Sequence, residues 1–310
     1  MFVNSQRSKL SLSIGIVGLP NAGKSTLFNA LVKGHQAKVA DYPFTTIEPN
    51  VGIVEVPDKR LDKIAEILKL DKKIPATIKF VDIAGLVKNA HQGEGLGNQF
   101  LSHIREVDAI VHVIDAFSGK QDPDETKETI NIELELGGIK KPTLYVLNIK
   151  EEDIKKSEIR MTNDKDTIYI SAKMEEELID LSDNEAKQYL QSYGLADSGL
   201  KRLIKESYQL LNLITFYTLI PNKQVQAWPI LKDSTAPQAA GKVHTDMERG
   251  FIAADVVHYE DFLLAGGWHE AREAGKLRTE GKKYRIQDGD IVHFKFNVWA
   301  LAKFLLICYS

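Results

Sequence analysis

The sequence predicts an α/β domain with a mostly parallel sheet, followed by a smaller second domain that is rich in β-structure. Short apolar runs alternate with helix-like stretches as far as Ile170, which is typical of α/β folds. A glycine-rich phosphate-binding motif lies between the first apolar run and the first helix-like stretch. After Leu213 the pattern changes to short β-like runs separated by turn-forming pairs such as Gly266-Gly267.

The elements of the first domain follow from this alternation. Six apolar runs, most of them rich in Val and Ile, are expected to be buried strands: Ser13–Val17, Val51–Val56, Thr77–Val81, Ala109–Ile114, Thr143–Leu147 and Thr167–Ile170. Five stretches between them are expected to be helices: Ser25–Lys33, Arg60–Leu70, Gly97–Arg105, Asp124–Leu136 and Glu152–Arg160. A polar helical stretch over Met174–Leu211, broken at Ser192–Gly194, completes the domain.

These patterns place the first domain at residues 1–212, the second at 213–298 and an apolar tail at 299–310. The chain has 310 residues, a length that fits two domains. We expect the tail to pack on its own domain, because it is shorter than the roughly 18 apolar residues that span a bilayer.

Composition excludes several classes of protein. With 40 Lys and Arg against 43 Asp and Glu, the net charge of −3 excludes a strongly basic protein of the histone kind. The one cysteine, Cys308, excludes a disulfide framework within the chain and fits a reducing compartment. Residues Met1–Leu12 lack the apolar core of a secretory signal. We therefore expect a cytoplasmic protein that does not associate with membranes; the sequence does not indicate an oligomeric state.

The phosphate-binding motif runs from Gly18 through Gly23 and Lys24 to Ser25, matching G-x-x-x-x-G-K-[ST] in full. The glycines allow backbone N–H groups to close on phosphate oxygens, and the helix N-terminus adds partial positive charge. Lys24 is expected to reach the β- and γ-phosphates, and the Ser25 hydroxyl to bind Mg²⁺.

Two further segments complete a switch of the P-loop kind. Asp82 ends an apolar run and begins Asp-x-x-Gly, so its carboxylate is expected to hold Mg²⁺ through water while the Gly85 N–H meets the γ-phosphate. Between the two motifs lie Thr45 and Thr46, one of which is expected to bind Mg²⁺ only when the γ-phosphate is present. The spacing alone does not decide between these two threonines.

The base-binding end departs from the guanine motif Asn-Lys-x-Asp. After the fifth predicted strand the chain reads Asn148-Ile149-Lys150-Glu151, so the Asn is kept while Glu stands at the Asp position. The carboxylate that would accept from guanine's N1–H and 2-amino donors is therefore missing or displaced by a methylene group. The Asn148 amide can instead accept from N6 and donate to N7 of adenine. Ser171, Ala172 and Lys173, after the last strand, are expected to form the loop beneath the base.

These residues resemble the Obg-like ATPases of the YchF type, which belong to the translation-factor class of P-loop NTPases. The resemblance covers nearly the whole chain and rests on seven segments: 15–31, 42–50, 81–88, 93–101, 236–246, 250–255 and 284–296. It implies a Ras-like P-loop domain and, at the C-terminus, a small α+β domain of the β-grasp (TGS) type.

The resemblance also implies an activity: Mg²⁺-dependent hydrolysis of ATP, a base preference that is either relaxed or leans toward ATP, and association with the ribosome or its RNA. Residue by residue, Asn21, Ala22, Gly23, Lys24, Ser25 and Thr26 surround the phosphates. Ser25 and Thr46 bind Mg²⁺, while Asn148 faces the base. Some relatives with Asn at the position of Asn21 use it to bind K⁺ beside the phosphates.

Two departures from the family pattern bear on turnover and partners. The family's long coiled-coil insertion is missing, since only Asp115–Lys141 separates the fifth and sixth strands of the family pattern. The family's candidate catalytic histidine is also absent from Ala116–Pro123. Moreover, Leu86 stands where Ras-like GTPases carry a glutamine that orients water.

Other groups must then place the attacking water: the backbone, a partner, or a side chain among His91, Glu94 and Arg105. His112, inside an apolar run, is expected to be a core histidine whose hydrogen bonds are satisfied. Three functions stay open: an ATPase switch in translation, a GTPase of the Obg class, and a nucleotide-dependent RNA-binding module with little turnover.

Two basic clusters in the second domain are candidates for contacts with RNA or a ribosomal protein. One contains Lys242, His244 and Arg249, and the other contains Lys282, Lys283 and Arg285. The domain as a whole is nearly neutral, so the expectation rests on this local clustering.

Overall fold

The computed structural model describes residues 12–37, 50–83, 96–120, 122–157 and 166–297. The tail at 299–310, Thr45, Thr46, Gly85 and Leu86 lie outside these ranges. The chain divides into two compact units: Met1–Glu55 with Ile78–Leu211, and Val56–Thr77 with Asn212–Ser310.

The described residues form strands and helices in the following order. The strands are β1 (Ser13–Val17), β2 (Val51–Glu55), β3 (Lys72–Ile74), β4 (Thr77–Asp82), β5 (Ala109–Asp115), β6 (Thr143–Asn148), β7 (Thr167–Ile170), β8 (Leu213–Ile220), β9 (Gln224–Leu231), β10 (Phe251–His258), β11 (Arg278–Glu280) and β12 (Asp290–Phe296). The helices are α1 (Lys24–His35), α2 (Lys59–Ile67), α3 (Leu96–Glu106), α4 (Pro123–Leu136), α5 (Ile154–Ser157), α6 (Ala172–Ile179), α7 (Asp183–Ser192), α8 (Gly199–Leu210), α9 (Ala236–Val243), α10 (Thr245–Arg249), α11 (Tyr259–Ala265) and α12 (Trp268–Glu273), with a 3₁₀ turn at Glu151–Asp153. None of the helices within the described part of the chain is both long and apolar enough to cross a membrane.

Side-chain caps explain several of these helix ends. Asp58 accepts from the Arg60 N–H at the start of α2, and Asp122 accepts two N–H groups at the start of α4, whose first residue is Pro123. Ser182 and Glu185 form a reciprocal capping box on α7. Glu175, although buried, accepts the Gly199 N–H at 2.6 Å and so holds the start of α8.

The first unit is built on a six-stranded sheet in the order β2-β4-β1-β5-β6-β7. The pairs β1–β4, β1–β5, β5–β6 and β6–β7 are parallel, which confirms the predicted α/β class. Since the carboxyl ends of parallel strands meet at one edge, Gly18, Asp82, Asp115, Asn148 and Ser171 lie along the same edge of the sheet.

The second unit is built on a mixed sheet in the order β11-β10-β12-β8-β9-β3. Strands β8 and β9 form an antiparallel hairpin, and β12 runs parallel to β8. Helix α9 contributes Ala236, Ala239 and Ala240 to a core that includes Phe216 and Phe294. This arrangement agrees with the predicted small α+β domain.

The structure differs from the predicted first domain, residues 1–212, at one segment. Residues Val56–Thr77 belong to the second unit, although they lie in sequence between β2 and β4 of the first sheet. The physical reason is strand pairing, because β3 pairs in parallel with β9. Strand β3 was not foreseen, and α2, which was predicted as a helix over Arg60–Leu70, packs on β9.

Candidate nucleotide-binding site

The loop between β1 and α1 has the backbone shape that its glycines require. Gly18 and Gly23 have φ values of 156° and 91°, and Asn21 adopts a left-handed φ of 66°. A Cβ on Gly18 would lie 2.3 Å from the Val113 carbonyl oxygen, and one on Gly23 would lie 2.3 Å from Asn148 Nδ2. Both glycines are therefore fixed by close approach as well as by backbone conformation.

Lys24, the first residue of α1, is folded inward against this loop. Its Nζ donates to the Leu19 carbonyl oxygen at 2.9 Å, and the residue is only 8% exposed. Burial lowers the pKa of the Lys24 ammonium, while the Asp82 carboxylate opposes this shift. The ammonium group is thus held within the loop that would surround a phosphate.

Ser25 and Asp82 provide a place for a divalent cation. The Ser25 hydroxyl lies near the Asp82 carboxylate, and Asp82 Oδ1 is buried with no hydrogen-bond partner among the described residues. Burial raises the pKa of Asp82, with Lys24 and Ser25 acting against it. A partnerless buried carboxylate oxygen beside a hydroxyl fits Mg²⁺, which prefers oxygen ligands. The described residues hold no cluster of three or more His, Cys, Asp or Glu side chains that could bind the ion alone, so nucleotide oxygens and water would complete its coordination.

Asn148 joins the phosphate loop to the loop after β7. Its Nδ2 donates to the Ala22 carbonyl oxygen at 3.1 Å, and its Oδ1 accepts from the Ala172 N–H at 3.0 Å. The residue is only 6% exposed. The amide keeps a second N–H and a second lone pair, and Asn148 lines the cavity, so the expectation that it faces the base stays a prediction.

A cavity of about 640 Å³ opens along this edge of the sheet. Its lining contains the predicted residues Asn21, Gly23, Lys24, Ser25, Thr26, Asn148, Glu151, Ser171, Ala172 and Lys173, and adds Phe117, Ile149, Lys150 and Glu152. Phe117 was missed, although its position after β5 at the carboxyl edge of the sheet could have indicated it. The Phe117 N–H bonds Asp115 Oδ1 at 3.1 Å, which fixes this side of the cavity.

Glu151 lines the cavity at the start of the 3₁₀ turn. Its Oε2 accepts a hydrogen bond from the Tyr193 hydroxyl at 3.4 Å, and its Oε1 lies 3.9 Å from Lys173 Nζ. Oε1 is buried without a hydrogen-bond partner among the described residues. Ser171 caps α6 by accepting from the Met174 N–H at 3.4 Å, which orients the loop opposite Glu151.

The candidates for positioning water receive little support from the described residues. Arg105 Nη2 donates to the Gly137 carbonyl oxygen at 2.9 Å, a tether within the first unit. His112 is fully buried, but neither ring nitrogen has a hydrogen-bond partner among the described residues, so the expected satisfied histidine was wrong. Burial, with Lys127 and Lys24, lowers the pKa of His112 to about 3, which keeps the ring neutral. His91 and Glu94 lie outside the described residues.

The two basic clusters lie in the second unit. Lys282 and Lys283 occupy an exposed turn, whereas Arg285 Nη1 donates to the Asp233 carbonyl oxygen at 2.6 Å. In the other cluster His244 caps α10 by accepting the Asp246 N–H at 3.1 Å, and Arg249 lies 3.9 Å from Asp246. Lys282 and Lys283 therefore present the more accessible charge.

Two family models match the chain. A model described as a 50S ribosome-binding GTPase (MMR_HSR1) matches residues 13–149. A second model, YchF-GTPase_C, described as a protein of unknown function, matches residues 213–297.

Known proteins match both units together. The chain is 41% identical to the ribosome-binding ATPase YchF of Bacillus subtilis, over 93% of this chain and 100% of the relative. It is 40% identical, with the same coverage, to the protein of the same name from Escherichia coli O157:H7. The alignment with the Bacillus protein extends over 368 residues, more than the 310 of this chain, so the relative has residues without a counterpart here. The solved structure of the Schizosaccharomyces pombe YchF GTPase matches with a TM-score of 0.78 and 31% identity, covering 92% of this chain and 98% of that one.

Proposed function

The chain belongs to the YchF family, and on this premise we propose that it is a Mg²⁺-dependent ATP-hydrolysing switch that associates with the ribosome. The observation that carries the nucleotide part is that Lys24 and Ser25 line one end of the cavity and that the Asp82 carboxylate lies near both of them. The ribosome part is supported by the names of the relatives, which are called ribosome-binding ATPases.

Each residue at the phosphate end has a definite task in this proposal. Backbone N–H groups of the loop from Asn21 to Thr26 would bind phosphate oxygens at the start of α1. Lys24 would exchange its bond to the Leu19 carbonyl for phosphate oxygens. Ser25 and Asp82 would hold Mg²⁺ together with Thr46, and the Gly85 N–H would contact the γ-phosphate. When bound, Mg²⁺ neutralises charge that develops on the transferred phosphoryl group.

Water positioning is the step for which the chain lacks a familiar residue. Leu86 stands in the place of the water-orienting glutamine and cannot hydrogen-bond. We therefore assign this step to a partner on the ribosome and expect slow turnover of the free protein. A K⁺ ion held beside Asn21 would add positive charge near the phosphates, as an arginine finger does.

Single-turnover hydrolysis of labelled ATP tests the proposal, in K⁺ or Na⁺ buffer, with and without ribosomes. We expect slow hydrolysis that ribosomes accelerate, and loss of binding or hydrolysis in a folded Lys24→Ala variant. Hydrolysis by Lys24→Ala at the wild-type rate would contradict the phosphate site. Binding of ATP without hydrolysis under every condition would favour the RNA-binding module with little turnover.

A GTPase of the Obg class is the second candidate. It is favoured by the fission-yeast relative of solved structure, which is named a YchF GTPase. Competition of ATP and GTP for a fluorescent nucleotide decides between the two candidates, since a strong preference for GTP would contradict ATP as the substrate.

A further inference from the structure

A small polar cluster surrounds Glu151 at the base end of the cavity. It consists of Glu151 in the 3₁₀ turn, Lys173 in α6 and Tyr193 at the C-terminal end of α7. Glu151 and Lys173 line the cavity. Tyr193 is not part of the lining, so any effect that it has on a bound base must act through Glu151.

The contacts of the two Glu151 carboxylate oxygens keep them from acting as a pair toward a ligand. Oε2 accepts from the Tyr193 hydroxyl, and Oε1 is buried near the Lys173 ammonium without accepting a hydrogen bond from it or from another described residue. Oε2 keeps a second lone pair, but the buried Oε1 cannot accept a hydrogen bond from a base unless the side chain first turns. The bond from Tyr193 to Oε2 opposes that turn.

The Tyr193 hydroxyl is well placed to hold this arrangement. The centre of the Tyr193 ring lies 5.3 Å from that of the Tyr189 ring, and the two ring planes form an angle of 57°. Tyr193 also packs against an apolar cluster that includes Ile154 and Leu190. Lys155 Nζ lies 5.8 Å from the centre of the same ring. A ring fixed on several sides loses little further rotamer freedom when its hydroxyl bonds a carboxylate.

Guanine and adenine differ in what they require from such a carboxylate. Guanine presents two parallel donors, N1–H and the 2-amino group, which a free carboxylate accepts with both oxygens. Adenine has no matching pair of donors and does not need this carboxylate. A site that hydrogen-bonds both guanine donors discriminates strongly between guanine and adenine. A site that withholds those two acceptors loses this discrimination.

We propose that Tyr193 is a positioning residue for base selection, which holds the Glu151 carboxylate with Oε1 buried and so withholds guanine's paired acceptor. The proposal rests on the proposed function, since it concerns the nucleotide bound in this cavity. Lys173 assists by placing its positive charge beside the other oxygen. Relaxed or adenine-leaning base preference then follows from the contact between Tyr193 and Glu151 as well as from the extra methylene group of Glu.

The test compares dissociation constants for ATP, GTP and ITP in the full-length chain, measured by displacement of a fluorescent nucleotide. In Tyr193→Phe the carboxylate loses its tyrosine partner, and we expect the preference to move toward GTP by roughly tenfold, the effect of one hydrogen bond to a charged group. ITP keeps N1–H but lacks the 2-amino group, so it should gain less than GTP.

The matched control is Tyr145→Phe, which removes a hydroxyl bonded to Asn131 Oδ1 at 3.1 Å, outside the cavity lining. Tyr145→Phe should leave the ratio of the dissociation constants for ATP and GTP unchanged. If Tyr193→Phe is unstable, Tyr193→Leu removes the same hydroxyl and keeps an apolar side chain in the cluster.

A double-mutant cycle shows whether Tyr193 acts through Glu151. In a Glu151→Ala background Tyr193→Phe should no longer change the ratio. An unchanged ratio in Tyr193→Phe alone, or an equal loss of all three nucleotides, overturns the proposal while wild-type binding of ATP keeps the proposed function intact. A wild-type chain that binds none of the three nucleotides overturns both.

Discussion

Arg60 and Asp288 are 228 positions apart in the chain, yet Arg60 Nη1 donates to Asp288 Oδ2 at 2.7 Å. The same guanidinium bonds Asp58 through Nε at 3.0 Å and Nη2 at 3.1 Å. Asp288 also accepts from the Thr215 N–H at 2.9 Å, and the Tyr217 hydroxyl bonds Asp58. The ion pair therefore ties the start of α2 to β8 and to the turn before β12.

The first prediction concerns this tie. Arg60→Met should lower the free energy of unfolding of the second unit by about 1–3 kcal/mol, because the Asp58 carboxylate would keep its place without its counter-charge. The side chain of Asp58 is only 11% exposed, whereas that of Asp288 is 50% exposed and contributes less. Urea unfolding followed by tryptophan fluorescence measures the effect, since Trp228 and Trp268 belong to this unit.

Lys63→Met is the matched control for Arg60→Met. Its ammonium pairs with Glu66 at 2.7 Å, but both side chains are more than half exposed, so we expect a change below about 0.5 kcal/mol. Equal effects of the two substitutions would show that the Arg60 contacts add nothing specific to the second unit.

The sequence predicted α2 but not the sheet on which it packs. A helical period shows that one face of a helix is apolar, but it does not show which apolar surface covers that face. Arg60 bonds Asp288 directly and is linked to Tyr217 through their shared partner Asp58. No local sequence pattern connects these distant positions. Strand β3 was missed because Lys72–Ile74 is short and largely polar.

The phosphate end of the site was predictable because its chemistry is local. Gly18 through Ser25 form one continuous motif between a strand and a helix. The bridge that Asn148 makes between two loops was not predictable, since its partners are the backbone groups of Ala22 and Ala172, which leave no mark in the sequence.

The surroundings of Ile149, at the base end of the site, were likewise not predictable from the sequence. Ile149 is 8% exposed and belongs to an apolar cluster with Met174 and Leu195. Rebuilding Asn-Lys-x-Asp through Ile149→Lys together with Glu151→Asp therefore carries a structural cost, because the new ammonium group would enter an apolar core. A test of guanine preference is better directed at Glu151 and its partners.

The second prediction concerns the bridge between the two loops of the site. Asn148→Ala would leave the Ala22 carbonyl and the Ala172 N–H without their buried partner, at a cost of about 1–3 kcal/mol. Nucleotide affinity should fall by tenfold or more, because the phosphate loop and the base loop would no longer be held together. Titration with a fluorescent ATP analogue measures this. ATP affinity equal to that of the wild type would contradict the bridging role.

The third prediction concerns the Asp82 carboxylate and pH. Burial raises the pKa of Asp82 above its ordinary value, with Lys24 and Ser25 opposing the shift. The folded chain therefore binds this proton more tightly than the unfolded chain, and its stability falls as pH rises from the unfolded pKa through the raised folded pKa. At neutral pH the ionised carboxylate is costly until Mg²⁺ binds beside it.

The substitution Asp82→Asn should therefore affect the stability of the fold and the turnover of ATP in opposite directions. Without Mg²⁺ its free energy of unfolding at pH 7 should equal or exceed that of the wild type, while Mg²⁺-dependent ATP turnover falls by about a hundredfold or more. Mg²⁺ and nucleotide together should raise the melting temperature of the wild type more than that of the variant. Asp197→Asn, an exposed position in the same unit, serves as the control. A clear loss of stability in metal-free Asp82→Asn would contradict the prediction.

The fourth prediction concerns the exposed turn of the second unit. Lys282 and Lys283 face solvent, and contacts between such lysines and phosphates release counterions, so that the affinity of the contact falls with salt. Reversal of both residues to Glu should weaken co-sedimentation with ribosomes and reduce the slope of log affinity against log salt by about one to two. Hydrolysis of ATP by the free protein should not change, because neither residue lines the nucleotide cavity.

Reversal of Lys201 and Lys205, two exposed residues on α8, provides a control with the same change in charge. If co-sedimentation of the Lys282 and Lys283 variant matches that of the control across the salt series, the turn is not the contact, and ribosome association must depend on another surface.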